Sequence, residues 1–235
     1  MPSVKAELSI AGLYDGIYRS YRLANSLLTY GLDRHWRRRA ARLARREAPC
    51  AASALDACCG TGDFSLELLR AFGPGLKLAG ADLSAPMLGL ARRRLPGADL
   101  RQAEAKALPW PDGSFDLVTI SFATRNLNVD RARLLEALRE FRRVLKPGGV
   151  FVNVETTRPA GLAIRALMRW YVTAVIGLLN LFSPANRKSY LFLRNTIINF
   201  YPAEEFSALL AEAGFATARH ETLFPGAVAV HAARR

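Results

Sequence analysis

The stretch Leu55–Asp63, LDACCGTGD, predicts a short buried strand that runs into a glycine turn and then into a helix. The residues before the turn are small or apolar, as in a central strand, and Gly60 and Gly62 permit a tight turn. Residues 64–72 continue with apolar side chains at helical spacing. A strand, a turn and a helix in this order leave bare backbone where a ligand can approach it.

An acidic residue closes the next predicted strand. Asp82 ends the apolar segment LKLAGADL, twenty residues past Gly62. At this place in a nucleotide-binding βαβ unit, an acidic side chain accepts hydrogen bonds from ribose hydroxyls. A glycine turn alone is also typical of an ordinary connection, but the turn and the acid together predict a nucleoside cofactor.

The residues around the turn distinguish between cofactors. Ser65 stands where a dinucleotide fingerprint has its third glycine, so that fingerprint is incomplete. Asp63 lies where a pyrophosphate would meet the helix, and its charge repels phosphate but suits a cation. S-adenosylmethionine carries a sulfonium and an ammonium group and no phosphate. The sequence therefore favours this methyl donor over NAD.

The composition bounds the class of protein. With 235 residues, 51% of them hydrophobic, the chain can form one α/β domain with a full core. Its formal charge of +13 predicts an anionic partner surface, either nucleic acid or phospholipid. The composition does not separate these two partners.

The three cysteines predict neither a disulfide nor a metal site. The three are Cys50 and the adjacent pair Cys58 and Cys59 in the predicted core strand, and the side chains of this pair point to opposite faces and do not easily bridge or share a metal. We expect reduced packing residues in a cytosolic protein. No stretch reaches the ~18 uninterrupted apolar residues of a spanning helix, and the N-terminus lacks the apolar core of a signal peptide.

We predict a single domain, residues 1–235, in four parts. Residues 1–48 predict a helical cap whose second segment is rich in arginine, and residues 53–155 alternate between short strands and helices. That alternation predicts a doubly wound, mostly parallel sheet with its ligand at the carboxyl ends of the strands. Residues 160–201 form an apolar insertion, and residues 202–235 predict a helix and an antiparallel strand pair.

Two segments leave alternatives open. The arginines around Trp36 are typical of a solvated helix face, but a contact with an anionic surface competes with that interpretation. The insertion is very apolar and carries basic residues at its ends. Such a segment packs against the sheet, lies in a bilayer interface or lines a pocket for a lipophilic substrate.

Polar residues follow each predicted strand, and we expect them to converge because the carboxyl ends of parallel strands share one edge. These residues are Asp56 and Thr61, then Asp82, then Glu104 and Ala105, then the loop SFATRN at 121–126, and finally Glu155. Asp56 or Asp63 would hold the cofactor ammonium and Asp82 its ribose. Glu104 and the Ala105 backbone would meet its adenine, and the loop would face the methyl group and the substrate.

These motifs resemble the ubiquinone/menaquinone biosynthesis C-methyltransferases, a branch of the class I S-adenosylmethionine-dependent methyltransferases. The resemblance extends over residues 14–234, and the Arg125–Asn126 pair is a mark of this family. The matching stretches are NSLLTYGLDRHWRR (25–38), LDACCGTGD (55–63), ADLSAPML (81–88), ALPWPDGSFDLVTISFATRN (107–126), RVLKPGG (143–149) and GFATARHETLFPGAVAVH (214–231).

The resemblance implies a seven-stranded Rossmann-like fold and a polyprenylated quinol as the acceptor, a demethylmenaquinol or a ubiquinone-pathway benzoquinol. It also implies that Thr61, Asp82, Glu104, Ala105 and Ser121 contact the cofactor. With the residues chosen from the strand ends, the predicted cofactor set is Asp56, Gly60, Thr61, Gly62, Asp63, Asp82, Leu83, Glu104, Ala105 and Ser121.

The chain departs from the family pattern around the acceptor. Arg22 follows Tyr21 where the family has Tyr-Asp, and Asn195 and Ile198 replace an acidic residue and an arginine. Val154-Glu155-Thr156 stands in place of Leu-Glu-Phe. Methyl transfer is therefore better supported than the identity of the acceptor.

The implied chemistry is displacement at the sulfonium methyl by a ring carbon ortho to a quinol hydroxyl. A cation that stabilises the ionised hydroxyl, or a base that ionises it, would help. We assign Arg125 to the cation and Asn126 to the orientation of an oxygen. Tyr21, Asp33 and His35 are candidates for the base, and the sequence does not choose among them.

Two other functions fit the sequence less well. Amino-directed nucleic-acid methyltransferases carry an Asn/Asp-Pro-Pro-aromatic motif after the fourth strand, where this chain has SFATRN. A non-catalytic membrane-associated or nucleic-acid-binding protein would not need the intact cofactor residues. We expect a lipophilic acceptor and peripheral attachment to the cytoplasmic face of an anionic inner membrane, and the sequence leaves open a homodimer.

Overall fold

The structure, a computed structural model, describes residues 24–235. It contains one seven-stranded sheet with the order β3-β2-β1-β4-β5-β7-β6. The first five strands are parallel, and β7 runs antiparallel to both of its neighbours. The strands are β1 (Ser53–Ala57), β2 (Lys77–Asp82), β3 (Asp99–Gln102), β4 (Phe115–Ser121), β5 (Leu145–Thr156), β6 (Thr217–Leu223) and β7 (Val228–Arg234). The predicted fold class is confirmed.

Eight helices within the described residues surround or extend this sheet. They are α1 (Asp33–Glu47), α2 (Asp63–Phe72), α3 (Ala85–Arg94), α4 (Thr124–Leu127), α5 (Arg131–Val144), α6 (Leu162–Phe182), α7 (Arg187–Ile198) and α8 (Ala203–Glu212). Residues 24–28 are also helical. Two of these helices are capped by side chains at their N-termini, because the Ser84 hydroxyl accepts from the Met87 amide and the Asp130 carboxylate accepts from the Arg133 amide.

Both faces of the sheet are covered, which is why its central strands read as apolar runs. Side chains of α1, α2 and α3 pack on one face in a cluster that includes Trp36, Phe64 and Leu88. Those of α5 and α8 pack on the other face in a cluster that includes Phe141 and Phe206. All the carboxyl ends of the parallel strands are thereby left at one edge between the two layers.

Local details differ from the sequence predictions. β5 begins at Leu145, so the Lys-Pro-Gly-Gly segment at 146–149 lies inside the strand. Cys58 lies beyond the end of β1 with φ +53°, and it belongs to the turn rather than to the core strand. Cys59 is buried and Cys58 half-buried, whereas Cys50 is exposed and is not the packing residue that the sequence predicted. The segment SFATRN, predicted as a loop, contains the short helix α4.

The apolar insertion folds into a hairpin of α6 and α7. Val172, Ile176 and Leu179 of α6 pack with Tyr190 and Leu193 of α7 in a third cluster. This cluster is separate from the two on the sheet, and of this segment Phe200 and Tyr201 at its end pack in the sheet cluster. The remaining large apolar side chains of α6 form an exposed face made of Leu162, Leu167, Trp170, Leu178, Leu181 and Phe182.

α6 is also long and apolar enough to cross a membrane by its length and composition alone. It has 21 residues and a mean hydropathy of 1.5 over an 18-residue window. The prediction that no segment meets this criterion was wrong, because it counted only uninterrupted apolar residues and so ended at Arg165 and Arg169.

Candidate active site

The turn after β1 is shaped by its two glycines. Gly62 has φ +78°, and a Cβ there would lie 2.7 Å from the Leu95 Cδ1 atom. Gly60 has φ +54°, and a Cβ there would find no atom nearer than the Met87 sulfur, 3.7 Å away. Gly62 is thus required for the packing of α2 on α3, whereas Gly60 leaves space above its backbone.

Asp82 is built into the same turn. One of its carboxylate oxygens accepts from the Gly60 amide at 2.8 Å, and the other accepts from the Ser84 amide at 2.9 Å. The next residue, Leu83, is held because its carbonyl accepts from the Gln102 side chain of β3 at 3.0 Å. The half-buried carboxylate therefore has a defined position at the end of β2, as ribose recognition requires.

Asp56 lies buried below the turn. Its carboxylate accepts from the Ser65 hydroxyl at 2.6 Å and from the Thr119 hydroxyl at 3.3 Å. Burial raises the pKa of Asp56 to about 7, although these hydrogen bonds and the charge of Arg37 act in the opposite direction. Near neutral pH the carboxyl group is balanced between its two forms, and a cation bound nearby would favour the ionised form.

Asp63 is held at the start of α2. It accepts from Thr61 at 2.7 Å and forms an ion pair with Arg94 at 2.7 Å. Burial raises the pKa of Asp63, but the hydrogen bonds from Arg94 and Thr61 outweigh burial, so this pKa lies below its ordinary value. Asp63 is therefore ionised at neutral pH, and Thr61 is oriented by it.

The charges of Asp56 and Asp82 act on the thiols of both Cys58 and Cys59 in this turn. Burial and then the charges of Asp82 and Asp56 raise the pKa of Cys58 well above its ordinary value. The thiol is therefore a neutral packing group between two carboxylates. The predicted convergence of residues from β1 and β2 at one edge is present in the structure.

Arg37 is a site residue that sequence reasoning missed. Its Nε donates to the Ser121 hydroxyl at 3.2 Å, and its guanidinium lies 5.0 Å from the centre of the Phe122 ring. Arg37 also pairs with Asp33, one helical turn earlier. The sequence did carry a signal, because Arg37 shares a helix face with the buried Ala41 and Ala44.

Arg125 and Glu155 form a buried ion pair. The Arg125 guanidinium lies 2.5 Å from Glu155 Oε1, and these side chains are only 2% and 1% exposed. The Arg125 amide also donates to Glu155 at 3.2 Å, and its guanidinium donates to the Phe122 carbonyl at 2.8 Å. The pair therefore ties α4 to the end of β5. The charge that we assigned to an ionised acceptor hydroxyl is here offset by a carboxylate.

Asn126 is buried beside this pair. Its side-chain oxygen has no hydrogen-bond partner among the described residues. A buried amide oxygen without a partner is unfavourable, and such a group marks a place where a ligand or water donates a hydrogen bond. The neighbouring Thr124 hydroxyl is already engaged, since it donates to Asn153 at 2.7 Å.

The other predicted residues are placed differently. Glu104 is exposed and lies 3.5 Å from Lys106, and Ala105 is half-buried. His35 is exposed and lies about 200° around α1 from Arg37. The structure thus does not bring His35 to Ser121, because the inward face of α1 at this level is occupied by Trp36 and Arg37.

The remaining acceptor-side predictions concern Tyr21, Arg22, Asn195 and Ile198. Tyr21 and Arg22 lie outside the described residues, so Tyr21 as the base stays a prediction. Asn195 is exposed on α7, and Ile198 packs against the third cluster with α6. Among the described residues, no three His, Cys, Asp or Glu side chains are grouped so as to hold a metal ion.

The residues at this edge fit S-adenosylmethionine. Gly60 presents bare backbone in the turn, and Asp56, Asp63 and Asp82 supply the negative charge that a cationic, phosphate-free ligand requires. Asp82 would hold the ribose, and Asp56 or Asp63 would favour the ammonium. When bound, S-adenosylmethionine supplies an electrophilic methyl group.

Known proteins match this chain over nearly its full length. The ubiE/COQ5 methyltransferase family matches residues 2–235. Demethylmenaquinone methyltransferase of Thermus thermophilus is 39% identical over 227 residues, which cover 95% of this chain and 100% of that protein. The enzyme of the same name from Lactiplantibacillus plantarum is 35% identical over 229 residues, 95% of this chain and 94% of its own.

A solved structure supports the fold. The crystal structure of a SAM-dependent methyltransferase from Thermotoga maritima has a TM-score of 0.62 and 21% identity, and the match covers 94% of this chain and 99% of that one. With the glycine turn, the three carboxylates and the Arg125–Asn126 segment in place, the chain belongs to the ubiE/COQ5 methyltransferase family and is an S-adenosylmethionine-dependent methyltransferase of the demethylmenaquinone methyltransferase type.

Proposed function

We propose that this protein transfers a methyl group to a ring carbon of a polyprenylated quinol, and that a demethylmenaquinol is the acceptor. The observation that carries this proposal is the match to two demethylmenaquinone methyltransferases over 95% of the chain. The alternative acceptor with most support is another lipophilic aromatic compound, because Arg22, Asn195 and Ile198 depart from the family pattern.

The residues of the site have distinct parts in this proposal. Asn126 accepts a hydrogen bond from an acceptor hydroxyl and so fixes the ring in front of the methyl group. The Arg125–Glu155 pair positions Asn126 by anchoring α4. Arg37, next to Ser121, supplies a second cation that favours the ionised hydroxyl. The new carbon–carbon bond replaces the methyl–sulfur bond, and the ring carbon loses its proton.

The test is methyl transfer to defined quinols. The protein would be incubated with methyl-labelled S-adenosylmethionine under reducing conditions, with a demethylmenaquinol or a benzoquinol as the acceptor. We expect carbon-bound label in the demethylmenaquinol and much less in the benzoquinol. Mass spectrometry identifies the methylated atom.

The cofactor-site variant Asp82→Ala is the control and should abolish labelling. Cofactor binding without label in either quinol would contradict the proposed acceptor, although the fold and the cofactor would stand. Label on oxygen instead of carbon would contradict the proposed reaction.

We also infer that the protein works at the cytoplasmic face of an anionic membrane, to which it attaches peripherally. The chain between Glu155 and Glu204 contains six basic residues and no acidic residue. In the same segment, α6 presents its exposed apolar face. An apolar face with basic neighbours is typical of a helix that lies in the interface of an anionic bilayer. Because the opposite side of α6 is buried against α7, a helix that lies in the membrane interface is favoured over one that spans the bilayer.

Vesicle flotation tests this attachment. We expect the protein to float with phosphatidylglycerol vesicles and to be released by salt, because surface electrostatics are screened. Leu181→Glu or Phe182→Glu should lower the partition coefficient about tenfold, since each places a charge where an apolar side chain enters the lipid.

Val129→Glu is the matched control, because Val129 is an exposed apolar residue outside α6. Equal effects of all three substitutions would contradict attachment through α6. A homodimer that covers this face, detected by analytical ultracentrifugation, would contradict it as well.

A further inference from the structure

A row of five aromatic rings leads from α6 to the active site. Tyr171 of α6 stacks on Tyr30 with ring centres 4.0 Å apart, and Tyr30 lies 5.3 Å from Phe224. Phe224 lies 6.0 Å from Trp36, and Trp36 lies 6.2 Å from Phe122. We call these five residues the aromatic row.

The aromatic row ends next to the predicted cofactor contacts. Phe122 directly follows Ser121, and its ring is in contact with Arg37. Phe224 directly follows β6, whose end pairs with the start of β7 opposite the end of β5. The row therefore lies along the same edge of the sheet as the carboxyl ends of the parallel strands.

Exposure changes along the row. Trp36 and Phe122 are buried, whereas Tyr30 and Phe224 are 47% and 44% exposed. Packing of the core explains the two buried rings, which belong to the cluster on the α1 face of the sheet. Core packing does not explain the contact between the two large half-exposed rings of Tyr30 and Phe224. An exposed apolar patch of this kind is typical of a binding surface.

Backbone strain is concentrated in the same residues. The four non-glycine residues with positive φ among those described are Tyr30, Cys58, Phe122 and Phe224. Three of these four belong to the aromatic row, with φ values of +54°, +52° and +44°. A bulky residue in this conformation is strained, and such residues cluster at functional sites, where the side-chain direction matters.

We propose that the aromatic row is the binding site for the polyisoprenoid tail of the acceptor. This inference rests on the proposed function and assigns the tail a place within it. The row is uncharged, it starts at the apolar hairpin and it ends beside Ser121, where the reacting ring would lie. Hydrocarbon chains bind to such surfaces through burial of apolar area.

The first test compares quinol acceptors that carry a single isoprene unit or a long polyprenyl chain. We expect Phe224→Asn to raise KM for the long-tailed acceptor about tenfold and to leave KM for the short one and kcat for both within about twofold. Asparagine tolerates the left-handed backbone, so the loop keeps its conformation while the ring is lost.

Val129→Asn is the control, because Val129 is an exposed apolar residue outside both the aromatic row and α6. It should leave both KM values unchanged when the quinols are presented in detergent. An equal effect of Phe224→Asn on the two acceptors, or none on the long-tailed one, would overturn the proposal.

A second test does not depend on methyl transfer. A polyprenol that carries a photoreactive diazirine and lacks a quinol ring should label the peptides that contain Tyr30 and Phe224. If these peptides are labelled but the protein methylates no quinol, the proposed acceptor is rejected and the tail site stands. Labelling confined to other peptides would reject the tail site itself.

Discussion

Replacement of Glu155 by alanine is expected to lower the free energy of unfolding by about 3–5 kcal/mol, because it removes the carboxylate that offsets the buried charge of Arg125. The same change takes the acceptor from the Thr156 amide and hydroxyl, which donate to Glu155 at 2.7 and 3.0 Å. For a chain of this length, the melting temperature should fall by roughly 10 °C. Denaturant titration and thermal scans measure both effects.

A second substitution in the buried pair distinguishes the effect of an unpaired charge on stability from the effect of lost packing. In the double variant Glu155→Ala with Arg125→Met, the buried cation is gone as well, so stability should partly recover relative to Glu155→Ala. Glu205→Ala is the matched control, since Glu205 pairs with Arg158 at the surface and its loss should cost about 0.5 kcal/mol or less. A loss below about 1 kcal/mol for Glu155→Ala would show that the pair does not hold α4.

For Asp82→Ala we expect the Kd for S-adenosylhomocysteine, which carries the same ribose, to rise about 100-fold. Hydrogen bonds to a charged acceptor are worth about 1.5–3 kcal/mol each, and two ribose hydroxyls would lose theirs. The Gly60 and Ser84 amides would also lose their acceptor. Calorimetry measures the affinity directly, and methyl transfer should fall with it.

Two variants define this effect. Asp82→Asn keeps an oxygen acceptor but loses the charge, so its Kd should lie between those of the parent and Asp82→Ala. Asp112→Ala removes a mostly exposed carboxylate away from the turn and should leave Kd unchanged. A Kd for Asp82→Ala within about threefold of the parent, in a folded protein, would exclude Asp82 from ribose binding.

Patterns within short stretches located the cofactor half of the site. The strand and glycine turn at 53–62 and the acid at the end of β2 lie within thirty residues of sequence, and residue type and spacing predict them although Gly60 and Asp82 meet across 22 residues. The periodicity of the segments after β1 was likewise enough for α2 and α3. The family resemblance, carried by motifs of this kind, added the seven-stranded order that the structure confirms.

Contacts between distant segments could not be derived in the same way. Helical spacing places Arg37 on one face with Ala41 and Ala44, but only the packing of α1 shows that this face is buried whereas Arg38 and Arg39 are exposed. Glu155 is separated from Arg125 by thirty residues, and their ion pair exists only because α4 lies against the end of β5. α6 packs against α7 and not against the sheet, so the opposite side of α6 stays exposed.

The sequence by itself thus determined the fold class, the glycine turn, Asp82 and the choice of a cationic cofactor, since each depends on residue type and spacing along one strand–turn–helix unit. Only the tertiary structure decided that Arg37 reaches Ser121, that Glu155 offsets Arg125, that His35 faces outward and that five aromatic rings form one row. The physical reason is that partial charges and apolar area act through space, and the chain segments that carry them meet only after the sheet has formed.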